Sequence, residues 1–291
     1  MGSGSTKSQT LSSGRTARLG LCWGCCPADD LFQLAAAAGA SGFDEFSITA
    51  DHYLKARADG LTDADIRAFL RDQDVTVGVI DPLISNLPGT PAPEDVRPDW
   101  RRFFELTAED CFAAAAGVGA RSVNLAHFQG APVDVVSLGS AVRDFAIEAN
   151  RRSLAVSLEF IPGTGFADFT TTLQIVEQVQ AANVGVMFDV WHFLRSGGVL
   201  DQLVPAAAAH VSEVQLSDRR VSKGEPRPYV PMSQRLNPGE GDAPLEEILS
   251  ALLDARPDLV IGVEVFTDVH SPAGAVAPPL ARAVLNLLGK L

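Results

Sequence analysis

Apolar, β-compatible runs and longer helical runs alternate eight times along this sequence, with no linker of changed composition between them. The turn after the first strand, Leu21 to Pro27, lacks the glycine spacing of a doubly wound nucleotide-binding fold. Together these features predict an α/β fold, a single (β/α)₈ barrel with extended loops after strands three and seven. The 291 residues, 46% hydrophobic, would suit one barrel or two small domains, so the alternation decides and not the length.

Met1 to Arg15 is rich in Ser, Gly and Thr and reads as a flexible or expression-derived leader, which leaves residues 16–291 for the barrel. Arg18 to Trp23 is the first strand, and the Ala-rich Asp29 to Ala38 is its helix. Phe43 to Ile48 precedes a helix at Thr62 to Asp72, where Thr62 caps the start and Asp63 and Asp65 favour its positive end. Val75 to Ile80 is strand three. A Pro- and Gly-rich excursion, assigned to the active-site face, separates it from the helix Thr107 to Val118.

Ser122 to Leu125 is followed by a helix at Val135 to Arg152, Ala155 to Phe160 by Phe169 to Ala181, and Val184 to Phe188 by Leu200 to Ala209. His210 to Leu216 is strand seven; a long insertion then leads to the helix Pro244 to Ala255. Val260 to Val265 and the helix Ala281 to Leu288 complete the pattern.

With 36 acidic and 23 basic residues the formal charge is −13, which repels nucleic-acid phosphates and anionic membranes. The nearest approach to a local basic patch is Arg219, Arg220, Lys223 and Arg227. No apolar run reaches the roughly 18 to 20 residues of a membrane span. A cytoplasmic protein with a small-molecule partner, and neither nucleic-acid nor membrane partner, is expected. Cys22, Cys25, Cys26 and Cys111 do not form a disulfide framework. The Cys22-x-x-Cys25 spacing admits redox or metal chemistry, but Cys22 sits in an apolar run and no second pair follows, which favours buried or lining thiols.

The informative acids stand where strands stop. Glu159 ends strand five, Asp189 strand six and Glu264 strand eight, and in a barrel those ends share one mouth. Converging carboxylates remain charged together only beside a cation. Gln215, near the end of strand seven, adds a neutral oxygen. Glu159, Asp189, Gln215 and Glu264 therefore make an all-oxygen set for one divalent ion, Mn²⁺ or Mg²⁺, with no organic cofactor. Glu213 is the rival ligand, on the same face and one layer deeper. A buried ion-pair network or separate helix caps is the plainer alternative for the three acids.

His192, three residues after Asp189, is placed to bind a substrate oxygen or relay a proton, against the alternative of a loop histidine held locally. His127 lies beyond strand four and is a candidate for lining the pocket; His52 and His270 give weaker signals, and His210 reads as structural. Arg235, before Pro238 and Gly239, is a candidate for holding a substrate oxygen or an anionic group, with a surface arginine as the alternative. Trp23 and Trp191 are candidate apolar walls or core packing, as are Phe160 and Phe166.

At Leu158-Glu159-Phe160-Ile161-Pro162, Phe188-Asp189-Val190-Trp191-His192, Val214 to Asp218, Arg235 to Asp242 and Val263-Glu264, the sequence resembles the xylose-isomerase-like TIM barrel superfamily, in its sugar phosphate isomerase/epimerase branch. That branch includes hydroxypyruvate isomerase, ketose 3-epimerases and inosose dehydratases. The resemblance implies Glu159, Asp189 and Glu264 as metal ligands, Gln215 where members carry His or Gln, and His192 and Arg235 on the substrate. It makes a homo-oligomer, a dimer first, an expectation. The segment Arg219 to Gln234 is longer than in compact members. No phosphate loop is evident, so phosphate recognition does not follow.

Such a site predicts an isomerase or epimerase acting on a small keto-sugar or related polyol through an enediolate, with Glu159 and Glu264 as the acid/base pair and His192 assisting. Two alternatives stay open: a dehydratase (lyase) of a keto-polyol such as an inosose or a dehydroshikimate-like substrate, and a non-catalytic small-molecule-binding barrel. The superfamily's DNA-repair nuclease chemistry is disfavoured by only five histidines and by the acidic balance.

Overall fold

A computed structural model describes residues 9–10, 16–85, 87–131, 133–220, 232–266 and 271–291. Lys223, Arg227 and His270 lie outside the described residues, as does most of the expected leader. Eight parallel strands run in chain order: β1 (Thr16–Leu21), β2 (Glu45–Ile48), β3 (Thr76–Leu83), β4 (Ser122–Ala126), β5 (Ala155–Glu159), β6 (Val184–Asp189), β7 (Val211–Leu216) and β8 (Val260–Val263). Each pairs with its successor, and β1 joins β8 from Arg18↔Val260 to Leu21↔Val263, which closes the barrel. A two-residue strand, Gln9–Thr10, adds antiparallel to Ala17 and Thr16 at the start of β1.

The strands are apolar on both faces because one face lines the barrel interior and the other packs under helices, and β4 and β6 are buried at every position. Around them stand α1 (Leu31–Ser41), α2 (Ala50–Ala58), α3 (Asp63–Asp72), α4 (Arg101–Glu105), α5 (Ala108–Val118), α6 (Val135–Asn150), α7 (Phe169–Val179), α8 (Val190–Ser196), α9 (Pro205–Ala208), α10 (Leu245–Ala255) and α11 (Ala273–Leu288). Side-chain caps set several starts: Thr62 accepts from the Asp65 amide, Thr107 from Asp110, and Asp30 from Phe32 and Gln33.

Several helical assignments differ from the sequence expectation, including the short α4 inside the excursion after strand three, which was not foreseen. Helix α2 was not foreseen, because it buries only Ala50, Tyr53 and Ala56 and is otherwise polar. The expected helix Leu200 to Ala209 is a 3₁₀ turn at Leu200–Gln202 and the single turn α9, which starts at Pro205; the longer helix α8 precedes them. Helix α11 begins eight residues earlier than Ala281 and carries Pro278 and Pro279 inside it. Burial of Ala273, Val276, Ala277 and Leu280 outweighs the cost of interior prolines there.

Candidate functional site

The strand ends deliver the predicted residues to one mouth. Asp189, last residue of β6, caps α8: its Oδ1 accepts from the His192 amide at 3.0 Å, which fixes His192 in the helix's first turn. Glu159 ends β5, Glu264 follows β8, and Gln215 stands in β7; all four, with His192, are buried. Arg235 returns across the 219–234 excursion because Asp218 exchanges backbone hydrogen bonds with Leu236, while its carboxylate accepts from the Gly239, Gly241 and Ala243 amides.

The mouth divides into two groups of polar side chains. Glu159, Asp189 and His192 make one; Glu264 and Gln215 join Cys22 and Asp81 in the other. Arg235 Nη1 lies between them, 2.8 Å from Asp189 Oδ2 and 2.8 Å from Glu264 Oε2. Asn124 Nδ2 also links the groups, donating to Asp81 Oδ1 at 2.7 Å and Glu159 Oε2 at 2.8 Å. Cys22 Sγ donates to Glu264 Oε1 at 2.9 Å. The Gln215 amide donates to Asp81 and Glu264 at 3.4 Å each, while its Oε1 is buried with no partner among the described residues.

Four buried carboxylates thus face one guanidinium. Burial pushes Glu159 well above the ordinary carboxylate range, and Glu264, Asp81 and Asp189 push it further. Burial likewise takes Glu264 up to about 8 against the pull of Arg235, and Asp81 up to about 6 against its hydrogen bonds from Asn124 and Cys22. Burial also raises Asp189, but Arg235, His192 and its hydrogen bonds outweigh it and hold this acid below its usual value. Burial lowers His192 to about 4, so the imidazole is neutral at physiological pH and its 3.6 Å approach to Glu159 is not an ion pair there.

Above this floor the cavity is lined by aromatic residues, Trp23, Trp100, Phe103, Phe128 and Phe266. Trp23 stacks on Phe103 with ring centroids 5.4 Å apart. The excursion after β3 supplies Ile84, Trp100 and Phe103 to this wall.

Several candidates fall elsewhere. Trp191 is buried beside Arg235, whose guanidinium lies 5.6 Å from its ring, and does not line the cavity. His127 is buried and both ring nitrogens are engaged: Nδ1 accepts from the Gly165 amide, so Nε2 donates to the Pro88 carbonyl. It clasps two loops and does not face the cavity. His52 is bound to Thr49 and the Asp29 carbonyl, and Phe160 and Phe166 pack in the core. Glu213, the rival ligand, is held by Arg121 at the opposite end of the barrel. All four cysteines are buried thiols.

Sequence reasoning missed Asp81, Asn124 and Phe266, and left Cys22 as a buried or lining thiol. Asp81 carried the same signal as Asp189, a carboxylate directly after an apolar run, and was passed over. Asn124 is two residues into β4, where inward alternation alone pointed to it.

A closed parallel barrel with titratable groups gathered at its strand C-termini defines the architectural class in which such mouths carry the chemistry. The chain belongs to the xylose isomerase-like TIM barrel family, whose sequence profile matches residues 32–287. Among solved structures it is similar to the IolI protein with a bound zinc atom (15% identity, 94% of this chain and 98% of that one, TM-score 0.77). It is also similar to the probable 3-DHS dehydratase AsbF from Bacillus anthracis (14%, 92% and 99%, 0.68) and to D-psicose 3-epimerase crystallised with D-fructose (16%, 94% and 99%, 0.67). At these identities the likeness shows the fold. No curated protein sequence matches the chain. Among the described residues no helix is long and apolar enough to cross a membrane.

Proposed function

We propose that the protein is a divalent-metal-dependent isomerase or epimerase of a small keto-sugar or related polyol. The observation that carries this reading is the excess of buried carboxylates, Asp81, Glu159, Asp189 and Glu264, over the buried cation Arg235 that pairs with two of them. Such an excess holds protons or a cation. The donors fit a cation: Glu159, Asp189 and Glu264 supply oxygens, and Gln215 Oε1 is a buried acceptor without a donor among the described residues. The IolI structure's zinc and the epimerase among the neighbours support the choice.

When bound, a divalent ion there stabilises negative charge building on a substrate carbonyl oxygen as the adjacent C–H is deprotonated. Glu159 is the first candidate to remove and return that proton. Asn124 fixes its Oε2, leaving Oε1 toward neutral His192 at the cavity. Glu264 lines the same cavity and is the second member of the acid/base pair. Arg235 holds Asp189 and Glu264 in place, and the aromatic wall excludes water from the reacting carbons.

One observation favours a second reading, dehydration. Neutral His192 lines the cavity beside Glu159, placed to pass an N–H proton to a departing β-hydroxyl. NMR of a keto-sugar and inosose panel in D₂O with metal-reconstituted protein separates the readings. Deuterium incorporation with a rearranged or epimerised product supports the first; incorporation with loss of water selects the second. A panel bound without any exchange contradicts both and indicates a non-catalytic barrel.

A further inference from the structure

We infer a second cation subsite inside the barrel, formed by Cys22 Sγ, Asp81 Oδ2, Glu264 Oε1 and the Gln215 amide, which takes a borderline-soft ion such as Zn²⁺ or Co²⁺. The four head groups are gathered closely, the ligand atoms of Cys22, Asp81 and Glu264 all lying within 4.8 Å of one another. Sγ lies 2.9 Å from Glu264 Oε1 and 3.6 Å from Asp81 Oδ2, and the amide nitrogen lies 3.4 Å from each carboxylate and 3.9 Å from Sγ. A four-coordinate ion with metal–oxygen bonds of about 2.1 Å and a metal–sulfur bond of about 2.3 Å spaces its ligand atoms about 3.4 to 3.6 Å apart. Among these distances, the Cys22–Glu264 edge must open and the Cys22–Gln215 edge must shorten.

The second pointer is Gln215 itself. It is 5% exposed, its amide sits at this cluster, and its Oε1 has no partner among the described residues. Turning the amide about its last torsion puts the oxygen where the nitrogen stands. An interior cavity lined by Cys22, Asp81, Gln215 and Met187 adjoins the cluster on the side away from the mouth.

A second ion bound here takes Cys22 as its thiolate, the thiol proton passing to solvent. The thiolate directs the choice away from Mg²⁺, which prefers all-oxygen ligands. The inference rests on the proposed mouth ion through Glu264, whose Oε1 faces Cys22 and whose Oε2 faces Arg235, and it moves Gln215 from that ion's donors to this one's.

Cobalt titration of the metal-depleted full chain tests it, read by equivalents bound and by the near-ultraviolet sulfur-to-cobalt charge-transfer band. Two equivalents with the band are expected. Cys22→Ser should bind one equivalent and lose the band, whereas Asp189→Asn should lose one equivalent and keep it. One equivalent without the band in the unmodified protein overturns the inner site and leaves the mouth reading standing. A band that survives Cys22→Ser also overturns it, and no cobalt bound at all removes both.

Discussion

The two ends of the barrel interior both gather arginines and carboxylates, and they dispose of charge in opposite ways. At the floor, Arg121 reaches Glu45 and Glu213 and Arg18 reaches Glu45, so two cations meet two anions. Ser122 adds a hydrogen bond to Glu213 at 3.1 Å. The packing admits no side chain at Gly78, where a Cβ would stand 2.0 Å from Glu45 Oε1. At the mouth Arg235 pairs with two of four buried acids, and Gln215 Oε1, His192 Nδ1 and Asn124 Oδ1 are buried without partners among the described residues. At the floor each carboxylate has an arginine partner among the described residues. The mouth closes its charge only by taking up protons or cations, and that need distinguishes a site from a scaffold.

The largest expected effect breaks the mouth's chemistry. Glu159→Gln should keep the circular dichroism of the parent and lower substrate proton exchange by roughly 100-fold or more; exchange within twofold of the parent would remove Glu159 as the acid/base. Next is Arg235→Met in metal-depleted protein, which leaves Asp189 and Glu264 buried without their cation. Denaturant unfolding should show a loss of about 3 to 5 kcal/mol, and a divalent ion should recover part of it. A loss no larger than that of a surface substitution would show that the mouth does not depend on this guanidinium.

A pH series sharpens the same contrast. Glu264 and Asp81 are raised by burial to about 8 and about 6, so the metal-depleted folded state holds protons that the unfolded chain gives up at lower pH. Their contribution to stability is full below about pH 4 and is lost as pH rises through 6 and then 8. Thermal unfolding should show that decline without metal, and a flatter profile with it; equal profiles would contradict the link. The smallest effect belongs to the floor. Glu213→Gln weakens a pair whose arginine side chain is 38% exposed, so it should cost about 1 kcal/mol or less and leave metal binding unchanged.

The barrel was legible because eight apolar runs ended near the observed strands, and the same rule exposed Glu159, Asp189 and Glu264 as strand-end acids. Gln215 and Glu213 differ by two residues and share an inward face, yet one reaches the mouth and the other the floor plug. Sequence alternation gives the face, while the Arg121 partner that decides the layer comes from a distant strand. Cys22 and Asp81 were obscured differently: Cys22 was read as one thiol of an apolar run, and Asp81, standing after the third run as Asp189 stands after the sixth, was not carried into the ligand set. The prolines of α11 and the weak apolar stripe of α2 show burial overruling local preference. His127 looked like a pocket residue because it follows a strand, and only the loops around it reveal that both ring nitrogens are engaged.

The central claim, that the mouth balances its charge with a divalent ion, is tested most directly by calorimetric titration of metal-depleted protein at neutral pH, with the Asp189→Asn variant beside it. Saturable binding with proton release, weakened at least about tenfold in the variant, is the predicted result. Absence of binding by the unmodified protein across Mn²⁺, Mg²⁺, Co²⁺ and Zn²⁺ would contradict the account and leave the mouth as a protonated acid cluster.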